Sequence, residues 1–327
     1  MTQTMKAIQV NRLGGPEVLE ITQLPVPEPR AGWVRVRVQA VGLNFADILN
    51  VRGEYLTRAR VPFIPGMEFA GVVDALGEGV TSYEVGELVG ALGGTGAFAE
   101  FACVPAAAVI PIPPNLNAKE AAALPVSYYT AYFSLKTLGY AKAGETVLIE
   151  AAAGALGTAS IQLAKAMNLR VIATASSEAK LELAKSLGAD EGFVSSREDL
   201  REAVMGATDG KGVDVYLSVV GGPGFQDRLT MMNSLGRVLV IGNASREGSS
   251  LNPTALMKKN VSVTGVWLTP LLGEADLMHE ATSFIAPLLA SGTVKPMVGQ
   301  VFPLEHAADA FEFVMSRASM GKVIIEP

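Results

Sequence analysis

The sequence predicts an α/β protein in two parts, a doubly wound parallel sheet inserted into a β-rich domain of irregular-barrel type. Three observations carry that expectation. The first third consists of short strands broken repeatedly by Gly and Pro, and the middle alternates apolar strands with helices. The tail then returns to a mixed style that suits rejoining the first part. At 327 residues the chain has room for about two domains of roughly 100–200 residues each.

Taken in order, the segment WVRVRVQAV (33–41) alternates apolar and basic residues with period two, the mark of a half-buried strand. Turn-forming LGGPE, LPVPEPRAG and IPG punctuate this region, and one early helix is expected near 45–52. EFAGVVDALGEGV reads as a strand entering a Gly-rich turn, with short strands following through GAFAEFACV and AVIPIP. From about residue 118 the pattern changes to two helices broken at Pro125.

Apolar strands are then expected in TVLIEA (146–151), RVIATA (170–175), GVDVYLSVV (212–220), GRVLVIG (236–242) and NVSVTGVW (260–267). Helices fall over 155–168, over 178–187 and near 224–233. Short apolar strands joined by helices imply a parallel sheet covered on both faces. A long helix over 274–290, the segment VGQVFPL, the helix EHAADAFEFVMSR and a closing strand GKVIIEP complete the chain. The expected boundaries are residues 1–122 plus 268–327 for the outer domain and 123–267 for the inserted one.

Hydrophobic residues make up 49% of the chain and charged residues 18%, which allows a large core. The formal charge of −6, with no basic cluster, argues against nucleic acid as a partner. No window is apolar for long enough to span a bilayer, and MTQTMKAIQV looks like a first strand, so a cytosolic protein without membrane attachment is expected. Cys103 is the only cysteine, which excludes an intrachain disulfide and a four-cysteine zinc site. It lies in an apolar strand pattern and is expected to pack as a small hydrophobe. With only His279 and His306 available, no metal site is expected, and both histidines read as structural or surface residues.

The sharpest local feature is EAAAGALGTASIQLAK, starting at Glu150. Gly154 and Gly157 take the second and third positions of a GxGxxG turn, with Ala152 at the first. The turn follows the first strand of the alternating series and opens a helix, where backbone N–H groups and the helix N-terminus can cradle a pyrophosphate. The bland alternative is that Gly and Ala only serve tight helix–strand packing. At the end of the next strand an acidic residue would bind a ribose 2′-hydroxyl and repel a 2′-phosphate. Here Ser176 and Ser177 stand in its place, with Lys180 one turn on, a set that suits a phosphate dianion. Glu178 is the complication, read as a helix-start residue facing its own amides. NADPH is therefore the expected cofactor.

The chain resembles, from end to end, the zinc-independent medium-chain dehydrogenases/reductases, most of all their quinone oxidoreductase branch. The matching stretches are GLNFADILNVRGEY (42–55), IPGMEFAGVV (64–73), AAALPVSYYTAY (121–132), AAAGALGTASIQLAK (151–165), LAKSLGAD (183–190) and GRVLVIGNAS (236–245). The resemblance implies a Rossmann domain inserted into a GroES-like catalytic domain. Zinc-dependent relatives carry a histidine where this chain has Met67, in PGMEF, and a cysteine on the segment from Gly42 to Arg52, which has none. Methionine is a poor ligand for such a cation, and alcohol oxidation without zinc is difficult, whereas a quinone or an α,β-unsaturated carbonyl is already electrophilic.

The same resemblance implies cofactor contacts. Asn44 and Thr130 would lie near the nicotinamide ribose and ring, and Ala152, Gly154, Ala155 and Leu156 would face the pyrophosphate. Ser176, Lys180 and Arg317 would gather at the 2′-phosphate. Val219, Val220, Gly242, Asn243, Ala244, Val266, Trp267 and Leu268 would line the adenosine and nicotinamide pockets. Three positions depart from the family's pattern. Ser195 stands where a tyrosine often lies near the 2′-phosphate, Leu49 replaces an aromatic of the substrate cleft, and Ser218 replaces an Asp. The loss of the aromatic at Leu49 weakens the case for a flat ring as substrate.

Tyr55, in RGEY, aligns with a tyrosine of enoyl thioester reductases and is the first candidate to polarise a substrate carbonyl, though a half-buried structural tyrosine would look the same. Asn44 is the second, and it equally suits an N-cap before FADILNV. Asp47, in the first helical turn, reads as structural. The strand at 260–267 closes one end of the expected sheet, and family members commonly dimerise through that edge, so a homodimer is expected. Two rival functions stand. One is an NADPH-dependent enoyl thioester reductase, for which Arg52, Arg58 and Arg60 would supply the basic patch. The other is a non-catalytic NADPH-binding sensor.

Overall fold

The computed structural model describes residues 3–92 and 96–327, which form two compact units: Met1–Val126 with Ala286–Pro327, and Ser127–Ile285. The sequence reading places its boundaries after residues 122 and 267. The second unit in fact runs on to Ile285, through most of the long helix.

The first unit begins with an antiparallel pair, β1 (Thr4–Val10) and β2 (Leu19–Pro25). β3 (Trp33–Gly42) follows, then α1 (Phe45–Arg52), β4 (Glu68–Leu76), β5 (Leu88–Leu92), β6 (Phe101–Pro105), β7 (Val109–Pro111) and α2 (Ala118–Ala122). The alternation read in β3 is realised. Val34, Val36, Val38 and Ala40 are buried, while Arg35 points away to pair with Asp74 at 2.6 Å. Asn117 caps α2 by accepting from the N–H groups of Lys119 and Glu120, and Glu120 returns the bond to the Asn117 N–H.

α3 (Pro125–Tyr132), which enters the second unit at Ser127, runs into a π-helical turn, Phe133–Leu138. Then come β8 (Thr146–Ile149), α4 (Ala155–Ala166), β9 (Arg170–Ala175), α5 (Glu178–Ser186), β10 (Glu191–Val194), α6 (Leu200–Ala207), β11 (Val213–Ser218), α7 (Phe225–Leu229), β12 (Met232–Val240), α8 (Pro253–Met257), β13 (Ser262–Gly265), α9 (Leu268–Leu271) and α10 (Ala275–Ala290). The six strands lie in the order β10–β9–β8–β11–β12–β13, all parallel. The order reverses between β8 and β11, and that switch point is where open α/β sheets leave a crevice at the carboxyl ends of their strands. The strands are near-continuous apolar runs because both faces are covered, and Leu148, Ile172, Tyr216 and Val238 share one core.

β10 and α6 were not among the expected elements. EGFV is a half-exposed edge strand with no alternation to reveal it, and its pairing with β9 defines it instead. The chain then returns to the first unit through β14 (Val298–Pro303), α11 (Ala307–Met315) and β15 (Lys322–Glu326). β15 pairs antiparallel with β3, Ile325 opposite Val41, and the seven-stranded sheet of this unit is thereby completed by the tail. Phe311 of α11 meets Phe98 edge-on at 6.0 Å in the unit's core. Among the described residues no helix is long and apolar enough to cross a membrane.

Candidate functional site

In the second unit the chain leaves β8 and turns through residues 150–154 into α4. Ala151 takes a left-handed conformation (φ 49°), and the N–H groups of Ala152 and Gly154 donate to Thr174 O (3.0 Å) and Ala151 O (2.9 Å). These two residues therefore shape the turn and have no N–H left for a ligand. α4 starts at Ala155 with Gly154 as its N-cap and no side-chain cap, so the N–H groups of Ala155 and Leu156 face outward at the positive end of the helix. At Gly157 a Cβ would lie 2.5 Å from Ala151 O and 2.6 Å from the Ala152 backbone, so only hydrogen fits and helix and turn can close together. That is the cradle a pyrophosphate needs.

Ser176 and Ser177 are exposed just past the end of β9, with Ser177 at the N-cap of α5. Lys180 is half-buried one turn in, and burial draws its ammonium below its ordinary pKa, a loss that a neighbouring dianion would reverse. The Ser195 N–H donates to Ala175 O at 2.8 Å, which brings Ser195 beside this strand end. Sequence reasoning missed Arg197. It lies two residues past Ser195, stacks over Phe193 with 5.3 Å between guanidinium carbon and ring centroid, and grips Asp199 with bonds of 2.7 and 2.8 Å. Those bonds raise its pKa, and the charge of Glu178 adds to the rise.

Glu150 was also missed, although it closes the apolar strand TVLI. It is 1% exposed and bridges the switch point. One carboxylate oxygen accepts from the N–H groups of Val219 (3.1 Å) and Val220 (3.0 Å), and the other meets Arg228 Nε at 2.5 Å. The carbonyls of Val219 and Val220 accept from the Ala244 and Ser245 N–H groups. Val219 and Val220 thus have no N–H left to offer a ligand. The Asn243 amide is likewise engaged, donating to Glu247 O and accepting from the Ser245 hydroxyl. Gly242 and Ala244 flank Asn243 on the loop after β12. Val266 is buried, whereas Trp267 and Leu268 are half-buried where α9 begins, and Thr130 is buried within α3.

In the first unit, Asn44 precedes α1. Its backbone N–H donates to the Asp47 carboxylate (2.9 Å), while its side-chain amide faces a buried ion pair. Asn44 Nδ2 donates to Glu68 Oε1 (2.8 Å) and Gly42 O (3.2 Å), and Asn44 Oδ1 accepts from Lys322 Nζ (2.7 Å). Lys322 and Glu68 are in direct contact and are 1% and 0% exposed. The second Glu68 oxygen accepts from the Val126 N–H at 2.7 Å. Asp47, also 1% exposed, has its carboxyl pushed up to about 7 by burial, against the pull of the Asn44 N–H and Lys322 and with the push of Glu68. Its second oxygen, and the amide oxygen of Asn50 one turn on, find no hydrogen-bond partner among the described residues. Tyr55 is half-buried in the loop after α1, and Arg317 is exposed in a left-handed conformation just past α11.

Among the described residues no group of three His, Cys, Asp or Glu side chains is placed to hold a metal ion. His279 is exposed, and His306 is an exposed partner of Asp309 at 2.7 Å. Burial raises the Cys103 thiol, which keeps it neutral and packed beside Pro27.

A glycine turn at the switch point of a doubly wound sheet, inserted into a β-rich unit, defines a dinucleotide-binding protein of the dehydrogenase type. Comparison with known proteins agrees. Residues 30–114 match the alcohol dehydrogenase GroES-like domain, and residues 155–286 match the zinc-binding dehydrogenase family. Bovine quinone oxidoreductase-like protein 2 is 39% identical over 94% of this chain and 87% of its own length. Rat quinone oxidoreductase is 33% identical over 98% and 97%. The crystal structure of the quinone oxidoreductase of Thermus thermophilus, also solved in complex with NADPH, superposes with a TM-score of 0.89 at 43% identity, covering 99% of this chain and all of that one. The chain belongs to the quinone oxidoreductase family of the medium-chain dehydrogenases/reductases.

Proposed function

We propose that this chain is an NADPH-dependent reductase that passes hydride to a quinone or an α,β-unsaturated carbonyl without zinc. The observation that carries the reading is the α4 turn, open to an anion, together with Ser176, Lys180 and Ser195 at the neighbouring strand end in place of a carboxylate. The N–H groups of Ala155 and Leu156 would hold the pyrophosphate, and Ser176 and Lys180 would hold the 2′-phosphate, aided by Arg317. Thr130 and the segment Val266–Leu268 would border the nicotinamide. NADPH, when bound, supplies the hydride, and the protein supplies proximity and orientation. Tyr55 would donate a hydrogen bond to the substrate carbonyl, with the proton arriving from water. Met67, where zinc-dependent relatives carry a histidine, supports a mechanism that needs no Lewis acid. β13 ends the sheet, and its free edge is the surface through which two copies would pair as a homodimer.

One observation favours a second reading, an enoyl thioester reductase. Arg58 and Arg60 are exposed near Tyr55 in sequence and take part in no ion pair among the described residues, whereas Arg52 is held by Glu54 at 3.3 Å. The two readings separate on NADPH oxidation against benzoquinone, phenanthrenequinone, a medium-chain enone and crotonyl-CoA. Turnover with a quinone or the enone supports the first reading, and turnover with crotonyl-CoA alone supports the second. Tight NADPH binding without turnover of any acceptor removes both in favour of a sensor.

A further inference from the structure

At the carboxyl end of β9 and β10, one cation is held in place by its neighbours and keeps a donor to offer. β10 lies parallel to β9 with Val194 beside Ala175, and the Ser195 N–H extends the ladder by donating to Ala175 O at 2.8 Å. Ser195 therefore runs alongside the residue that follows Ala175, Ser176. The chain then turns, the Arg197 N–H donating to Val194 O at 3.2 Å, and the Arg197 side chain folds back over the Phe193 ring. Asp199 closes on the guanidinium as a fork, with Nε donating to Oδ1 and Nη2 to Oδ2. A guanidinium has five N–H donors. Phe193 covers one of its faces and Asp199 takes one edge, whereas Nη1 bonds to no described residue. The side chain is 35% exposed, so a ligand can reach it. Ring and fork together have already cost this long side chain much of its rotamer freedom, so a ligand that meets Nη1 pays little for ordering it. The charge of Glu178, the first residue of α5, is felt at Arg197, which sets the guanidinium within electrostatic reach of the helical turn that carries Lys180. Lys180 alone is a poor match for a dianion. Burial draws its ammonium below the ordinary pKa, and Ser176, Ser177 and Ser195 bring no charge.

We propose that Arg197 is a specificity-determining residue that donates from Nη1 to the 2′-phosphate of NADPH, while Phe193 and Asp199 hold its guanidinium in position. The proposal rests on the NADPH reading above and deepens it, because it supplies a second cation for the dianion. Ser195 offers no ring where relatives often carry a tyrosine, and Arg197, two residues on, brings a charged contact to the same strand end. Asp199 occupies only one edge of the guanidinium, so the pair stays intact when the phosphate binds. Every group involved lies between Phe193 and Asp199 or between Ala175 and Lys180, within the second unit.

The test is equilibrium binding to the purified full-length protein of NADPH and NADH, and of adenosine 2′,5′-bisphosphate and 5′-AMP, which carry the adenosine end alone. Arg197→Met should weaken NADPH and the bisphosphate about tenfold, the lower end for a charge-assisted hydrogen bond because the side chain is partly exposed. The affinities for NADH and 5′-AMP should stay as in wild type, and they report at the same time that the variant is folded. Arg197→Lys keeps the charge without the fork, so it should recover the lost affinity only in part. Three results overturn the proposal. An equal loss for ligands with and without the 2′-phosphate would place Arg197 against the adenine ring or in a structural role. An unchanged preference for the 2′-phosphate in Arg197→Met would leave the NADPH reading standing and remove Arg197 from it. Full recovery in Arg197→Lys would show that charge acts here without a directed contact. A wild type that binds NADPH no better than NADH, and the bisphosphate no better than 5′-AMP, brings down the 2′-phosphate reading itself and this proposal with it, an outcome visible before any variant is made.

Discussion

Replacing Asp47 with Asn should remove a pH dependence of stability that the wild-type chain carries. Asp47 sits in the first turn of α1, fully shielded from water, and burial lifts its carboxyl from an ordinary 3.8 to about 7. Lys322 and the Asn44 N–H oppose the rise and Glu68 adds to it, but Lys322 is already matched by Glu68, so Asp47 is the surplus negative charge of the cluster. Between about pH 4 and 7 the folded chain keeps this proton while the unfolded chain has released it. The favourable contribution is therefore complete below 3.8 and is lost as pH rises through about 7. A rise of about three pH units, at roughly 1.4 kcal/mol per unit, sets the loss at no more than about 4 kcal/mol.

Asparagine reproduces the protonated form, since it is neutral and can still accept from the Asn44 N–H. Denaturant unfolding of both proteins across this range should show them closest at the acid end, with the variant gaining on wild type by up to about 4 kcal/mol above neutrality. Carboxyls such as Glu145 and Asp190 pull the other way. Despite partial burial, Arg237 and Lys165 hold them below the ordinary range, so their stabilisation is lost as pH falls. They are common to both proteins and cancel in the difference. A difference that stays constant with pH would refute the reasoning.

Three further outcomes are expected. Lys180→Ala should lower kcat/KM for NADPH about tenfold or more and leave NADH nearly unchanged, because it removes a charge-assisted contact to the 2′-phosphate alone, and initial-rate kinetics with both cofactors check this. Gly157→Val should destabilise the fold by about 1–3 kcal/mol and abolish NADPH binding, since the new side chain would run into the backbone of Ala151 and Ala152, with thermal unfolding and NADPH titration as readouts. Tyr55→Phe should lower kcat with a carbonyl acceptor about tenfold or more while the Kd for NADPH stays as in wild type, and an equal loss of both would remove Tyr55 from its assigned role.

The fold was legible where composition and period agree. TVLI, RVIATA and VDVYLS are apolar because the sheet is covered on both faces, and the glycines at 154 and 157 mark where helix and turn must close together. β10 was illegible because an edge strand of Glu, Gly, Phe and Val carries no alternation, and its identity comes from pairing with β9. At the candidate site, the sequence pointed to segments and left their interior wiring unseen. Lys322 looks like an ordinary charge at the start of a terminal strand, yet it is buried against Glu68, 254 positions away in the chain. Glu150 reads as the polar end of a strand, yet it ties the Val219–Val220 segment and Arg228 across the switch point. Such pairs carry no local pattern, because burial makes each partner necessary to the other and only the tertiary fold brings them together. The acid that ends β8, in an otherwise apolar run, was the single signal available.

The most direct test of the reductase assignment is the comparison of NADPH with NADH as reductant for one good quinone or enone acceptor, at equal concentrations and with no metal added. Acceptor-dependent oxidation of NADPH, with kcat/KM exceeding that for NADH by about tenfold or more, is the expected result. Equal use of NADH would contradict the assignment of Ser176 and Lys180 to a 2′-phosphate, and no oxidation of either cofactor across the whole acceptor panel would contradict the assignment as a reductase.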